Sequence, residues 1–301
     1  MKKFFYSFSV VLAAAFAVSC EDAAPEATPQ PISISGEYTA YVYGGGYGWQ
    51  KDAKIGVFAN SSVKVQNNLQ YYPSATTDKV VGENPVEIKD VQLLPVSESV
   101  EFNAGMNVYA YYPYDATVEN HTAVKVPNIS TQDFQSDSYW TSPSFKYAFA
   151  YAKLDSPLEN YTTEAVSLGN FVPLYYDLEV IGATVDDALD GKYLTEVTIN
   201  SSRTIALADA TINLATGEIS GAKSNSIKVV FPAPGYLIET QSFYGMTFTE
   251  TPMMNIAAYL ESELAEGDIV SVVYKIDGQD YEFSAVASKS RFYDAYSVVP
   301  F

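Results

Sequence analysis

Alternation of apolar and polar positions recurs along this chain, and its clearest instance comes early. Ile32, Ile34, Gly36, Tyr38, Ala40 and Val42 fall on one side of an extended segment, with Ser33, Ser35, Glu37, Thr39, Tyr41 and Tyr43 on the other. Successive side chains of a strand point to opposite faces, so this run predicts a long strand with one buried face. Gly44, Gly45, Gly46 and Gly48 predict a loop behind it. Further strands are expected at 54–59, 63–69, 86–94, 108–112 and 145–153, each a short apolar or alternating run bounded by turn residues. Residues 155–165, with Asp155, Ser156, Pro157, Asn160, Thr162 and Thr163, read as a linker. The pattern restarts at 174–181, 194–200, 211–214, 227–231, 242–248, 269–276 and 281–287, and one helix-like run stands at 255–264. Many short strands separated by Gly, Pro, Asn and Asp predict an all-β chain of two tandem antiparallel β-sandwiches, at 32–158 and 159–301. No fixed-period repeat is visible, which argues against a solenoid or propeller.

The first 31 residues follow a different pattern. Lys2 and Lys3 precede an apolar run at 4–18 and then small residues, the order of an export signal too short to span a bilayer, which needs about 20 apolar residues. Ala17, Val18, Ser19 and Cys20 resemble a lipobox, with Ala17 where many carry Leu. Cys20 is the one cysteine, so it has no intrachain disulfide partner, and lipidation of its thiol is expected after removal of residues 1–19. Two or more acyl chains make such an anchor stable. Residues 20–31, acidic and rich in Pro, read as a tether that cannot bury a core. Loss of the signal takes the formal charge from −19 to −21. So acidic a chain repels nucleic acid, which is bound through Lys and Arg, and no nucleic-acid partner is expected.

Residues suited to catalysis are sparse. His121 is the one histidine and lies in a polar loop, where a solvated side chain is expected. Nothing like a G-x-S-x-G elbow precedes a helix, and the 36 acidic residues are abundant without converging in sequence. Asp186, Asp187, Asp190 and Gly191 lack the alternate spacing and distal Glu of a calcium loop and read as a turn. No catalytic residue, metal site or cofactor is expected, and the chain is read as a non-enzyme. In the tyrosine-rich run at 108–114, alternation places Val108, Ala110 and Tyr112 toward a core and Tyr109 and Tyr111 outward, with Pro113 ending the strand. Aromatic packing at a sandwich corner is the ordinary account of these rings, and a sugar-stacking platform the alternative.

Several short motifs, taken together in order, carry a resemblance. Trp49, Lys51, Asp52, Lys54, Ile55, Gly56, Val57 and Phe58 resemble the W-x-x-x-D-x-I-G-V-F signature near the mature start of fimbrillins. Val108 to Tyr114 match the V-Y-A-Y-Y-P-Y motif of that family almost letter for letter, and Gln132 with Asp137, Ser138, Tyr139 and Trp140 resembles its D-Q segment. Phe171, Leu174, Tyr176, Leu178 and Val180 resemble the strand that opens the second domain, with Pro173 where the family carries His, and 211–217 fits the strand and turn that follow. Glu21 and Asp22 behind Cys20 resemble a surface-export tag. The chain is similar to subunits and accessory or anchor proteins of type V pili.

The resemblance implies two transthyretin-like sandwiches and assembly by donor-strand exchange with other fimbrial subunits. It also implies a lipid anchor in the outer membrane, a place on the cell surface in the fimbrium, and adhesion to a host or bacterial surface ligand. In that mechanism a protease cuts behind the first strand, which then leaves its groove to a neighbour's segment. Here the exchangeable strand is the one carrying Ile32, Ile34, Tyr38, Ala40 and Val42. Stalk fimbrillins generally have Arg at the cut, yet the two arginines, Arg203 and Arg291, lie far along the chain, which leaves Lys51 or Lys54 for processing. An uncut chain implies an anchor or accessory role instead. A stand-alone surface lipoprotein that binds glycans is the alternative.

Overall fold

The computed structural model describes residues 53–62, 65–74, 92–96, 102–134, 147–160, 166–169, 171–289 and 296–301, with the backbone of strand residues 32–33, 41–42 and 45–46. The protein is all-β, and among the described residues the one helical element is a 3-10 turn at Asp187–Leu189. None of these residues forms a helix long and apolar enough to cross a membrane.

Two sheets dominate. The first has seven strands in the order Ile32–Ser33, Gln92–Pro95, Val65–Pro73, Ile55–Asn60, Asn107–Tyr112, Ala150–Lys153 and Val172–Pro173, each antiparallel to its neighbour. The second runs Met254–Tyr259, Tyr175–Val180, Tyr296–Pro300, Gln279–Lys289, Ile269–Ile276, Tyr193–Ser201, Ser226–Val230 and Thr131–Asp133, with Tyr236–Leu237 paired to Tyr193–Ser201. It is antiparallel except at two places, where Tyr296–Pro300 lies parallel to Tyr175–Val180 and Thr131–Asp133 parallel to Ser226–Val230. Val124–Lys125 pairs with Ala206–Ile212, which in turn pairs with Ile219–Ser224. Both 124–125 and 131–133 precede the expected linker in sequence yet are hydrogen-bonded to strands that follow it. The two halves are thereby interlocked.

The burial pattern explains why the central strands tolerate apolar residues on both faces. Ile55, Val57, Ala59, Val108 and Ala110 pack with Leu93, Phe102 and Met106 on one side of the first sheet. Phe58, Tyr109, Tyr111 and Phe149 point to the other side and merge with the large core of the second half. Tyr109 and Tyr111 are therefore buried, contrary to the expected outward placement, because this sheet is covered on both faces.

Three other departures have local causes. The run 255–264 is not a helix: Met254–Tyr259 is a strand paired along its whole length with Tyr175–Val180. The apolar run from Ile256 to Tyr259 reflects burial on both faces, which erases the period-two signal. The segment expected as one strand at 242–248 is a hairpin, Thr240–Phe243 against Met246–Glu250, reversed at Tyr244 and Gly245 with φ of 50° and 79°. Both turn residues are left-handed, which suits the twist of a two-residue hairpin and places glycine second. Ile219–Ser224 is almost fully exposed, so it offered no apolar alternation to read.

Candidate strand-exchange site

Ile32 and Ser33 pair antiparallel with Leu93 and Gln92 at one end of the first sheet. Leu93 is fully buried and Leu94 and Pro95 are half-buried, while Gln92 at the start of the strand and Val96 just past its end are exposed. Its other side is fixed: Gln92–Pro95 pairs with Val65–Pro73, Ser74 donates its N–H to the Gln92 carbonyl at 2.7 Å, and Val96 donates to the Gln70 carbonyl at 3.0 Å. Removal of the Ile32 segment uncovers a row of backbone groups beside a buried leucine, the feature β-augmentation uses. Tyr41–Val42 pairs with Gly45–Gly46 as a small two-stranded unit, so two of the glycines expected in a loop are in a strand. Of the residues assigned to the exchangeable strand, Ile32 and Val42 are described through their backbone. Ile34, Tyr38 and Ala40 lie outside the described residues, as do Cys20, the signal segment 1–19, the tether 20–31 and Lys51.

Lys54 is among the described residues. Its side chain is exposed, but its carbonyl accepts the Tyr114 N–H at 2.8 Å, and the next residue, Ile55, begins a central strand with no exposure. Proteases need an accessible backbone that can be drawn out of the fold. The bond after Lys54 is held at its carbonyl and followed by buried chain.

Downstream of Lys54 the I-G-V-F and V-Y-A-Y-Y motifs meet face to face, with Gly56 opposite Tyr111 and Val57 opposite Ala110. A Cβ on Gly56 would fall onto the Tyr111 ring and within 2.8 Å of Asn68 Oδ1. Glycine is needed there because the tyrosine lies across it. The Tyr111 hydroxyl donates to Asn68 Oδ1 at 2.9 Å and sits 3.1 Å from the Asp115 carbonyl, and Asp115 N–H donates to the phenol oxygen at 3.2 Å. Asn68 Nδ2 donates to the carbonyls of Asp115 and Val118 at 2.8 and 2.7 Å. The chain after Pro113 is thus pinned to the strand beside the exchange edge. The motif serves burial and corner-fixing, and its two inner rings are not available to stack on a sugar.

Burial pushes the Tyr111 phenol up to about 12, against hydrogen bonds that lower it, and burial likewise raises Tyr274 to about 12. A raised folded-state pKa means that the neutral phenol supports the fold below the unfolded value of 10.0, and that this support is lost as pH rises toward about 12. In an alkaline titration, the ultraviolet signal of these tyrosinates is expected to appear together with loss of β-sheet circular dichroism. Full ionisation of every tyrosine near pH 10 with the fold intact would contradict it.

Other residues singled out by sequence have structural settings. Asp186 Oδ1 caps the 3-10 turn by accepting Ala188 N–H, Asp187 Oδ1 accepts the Thr249 hydroxyl, and Asp190 Oδ1 accepts Thr240 N–H. Among the described residues no three His, Cys, Asp or Glu side chains gather as a metal site. Gln132, in the D-Q segment, is fully buried: its amide donates to the carbonyls of Ala257 and Ile129, and its Oε1 accepts the Ala257 N–H. His121 is not solvated as its polar loop suggested. It is partly buried and stacked on Tyr109. Sequence flagged Gln132 only as a motif letter, and Asn68 not at all, because their partners lie far along the chain.

No protein-family model matches this chain, and no curated protein matches it by sequence. Among solved structures it is similar to a fimbrial assembly protein from Parabacteroides distasonis. The two share 13% sequence identity with a TM-score of 0.37, over 90% of this chain and 98% of the other.

Proposed function

We propose that the chain is a non-enzymatic, cell-surface fimbrial protein, a pilus subunit or its anchor, that joins other subunits by strand exchange at the edge next to Gln92–Pro95. The observation that carries this is the position of its N-terminal segment, paired by backbone to the end of the first sheet, ahead of a lysine and away from the sheet's interior strands. The order of fimbrillin-like motifs supports the same reading, since Gly56 and Tyr111 lock the strands that must stay when the first one leaves. In this scheme lipid on Cys20 holds the precursor at the outer membrane, and cleavage frees the edge for a neighbour's segment. The alternative of a glycan-binding lipoprotein loses two of the rings on which it rested, because Tyr109 and Tyr111 are buried.

Of the two processing lysines, Lys51 is favoured. Sequencing of the surface protein is expected to find a start at Asp52, and Lys51→Ala to abolish that start while Lys54→Ala leaves it unchanged. A start at Ile55 would reverse this assignment. Lipidated Cys20 on all of the surface protein, together with co-purifying subunits, would make it the anchor. An uncut, monomeric surface protein with no partner subunit would remove the fimbrial reading altogether.

A further inference from the structure

His121 lies where the two halves of the molecule meet. Its ring stacks on Tyr109 with centroids 4.5 Å apart and planes 9° from parallel, and stands 6.0 Å from the Phe58 ring. Both partners belong to strands of the first sheet. Its carbonyl accepts the N–H of Leu214 at 2.9 Å, from the turn behind Ala206–Ile212, and three residues on, Val124 pairs with Ile212. The imidazole itself is held from the first sheet: Asn60 Nδ2 stands 2.7 Å from His121 Nδ1. With the amide in this orientation Nδ1 is the acceptor and the ring proton is on Nε2. The other end of the same amide, Asn60 Oδ1, is buried with no hydrogen-bond partner among the described residues.

We propose that His121 and Asn60 form an acid-sensitive latch on the seam between the halves: a proton taken from solvent by Nδ1 turns that nitrogen from acceptor to donor, removes its bond from Asn60 and loosens the 119–123 loop. With Nδ1 protonated, two donors face each other across 2.7 Å. The amide relieves this by turning over to present Oδ1, and then Nδ2 becomes the buried group without a partner. In either arrangement one end of the buried amide stays without a partner and the imidazolium is held partly out of water, and it is this desolvation that favours the neutral pair.

Among the described residues no ion pair to the ring is formed, and what favours the cation is the face of Tyr109 on which it stacks. Tyr109 is the titratable group against the ring from the Asn107–Tyr112 strand, its phenol raised by burial, while Ile55–Asn60 contributes Phe58 and Asn60, neither of which titrates. Glu119 and Lys125 near it in sequence, and Glu218 beyond the turn that holds Leu214, are exposed. Burial alone holds the imidazole below its ordinary 6.5. The neutral ring is thus the form the fold favours, and the stability it gives is complete above 6.5 and lost as pH falls through the lowered value.

One histidine in the chain makes the test direct. Purified without a histidine tag, the chain is expected to show a single imidazole proton resonance titrating with a midpoint below 6.5. Hydrogen exchange at the Leu214 amide, corrected for intrinsic rates, is expected to lose about tenfold in protection between pH 7 and pH 5. His121→Phe keeps the stack and should make that protection independent of pH. Asn60→Asp puts an anionic acceptor against the ring and should move the midpoint above that of the parent chain. A parent midpoint at or above 6.5, or equal Leu214 protection at both pH values, overturns the latch. So does the same acid sensitivity in His121→Phe.

Discussion

Replacing Gln132 with leucine is expected to destabilise the protein by about 3 kcal/mol or more, since each buried polar group left without a partner costs about 1–3 kcal/mol. Three such groups are involved: the N–H and carbonyl of Ala257 and the carbonyl of Ile129. Thr131–Asp133 and Met254–Tyr259 are the two ends of the second sheet in strand order, and the Gln132 side chain joins them across 125 residues of sequence. It does for the outer rim of Met254–Tyr259 what a neighbouring strand would do, satisfying one donor and one acceptor of the main chain. Leucine fills similar space, so the loss reads out the hydrogen bonds and not a cavity. Domains generally have about 5–15 kcal/mol in hand, so the variant should melt far earlier in urea. Gln132→Glu should be as damaging at neutral pH, because a carboxylate accepts from Ala257 N–H but cannot donate to either carbonyl. A midpoint within error of the parent chain for both variants would show that the ends of the sheet are held by something else.

Gly56→Val is the second change with a large expected effect, a loss of about 2–4 kcal/mol from forced repacking and broken hydrogen bonds. The Tyr111 ring cannot swing away freely, because its hydroxyl is tied to Asn68 and Asp115 and its ring lies between Phe58 and Phe149 at centroid distances of 6.0 and 6.3 Å. Moving it frees the corner after Pro113 as well as the core. Tyr111→Leu alone should also be destabilising, through the lost bonds of its hydroxyl. The two changes together should cost less than their sum, since the ring that clashes with position 56 is gone. Strict additivity in a double-mutant cycle of urea midpoints would mean that the glycine is required for some other reason.

How far the sequence could be read follows from how local each signal is. Ile269–Ile276 matches its expected bounds because alternation and flanking turns are contained in the strand itself. The all-β class was legible for the same reason, repeated along the chain. Where both faces of a strand are covered, the alternation vanishes, and Met254–Tyr259 looked helical while Tyr109 and Tyr111 looked exposed. Gln132 and Asn68 were silent because a polar side chain announces nothing about a backbone group 125 or 47 residues away. His121 was misjudged because the polarity of its own loop gave no hint of the rings brought to it from another sheet. At the candidate exchange site, only Ile32–Ser33 and Tyr41–Val42 of the alternating run are described, in two separate sheets, and the structure adds the neighbour each touches and the pinned backbone at Lys54.

Tyr296–Pro300 comes latest in chain order among the strands of its sheet, yet sits in the interior, parallel to Tyr175–Val180 on one side and antiparallel to Gln279–Lys289 on the other. Until this strand is added, Tyr175–Val180 with Met254–Tyr259 has no strand-to-strand bonding to the rest of the sheet, and the pairing that closes it spans 118 residues of sequence, a long-range contact of the kind that forms slowly.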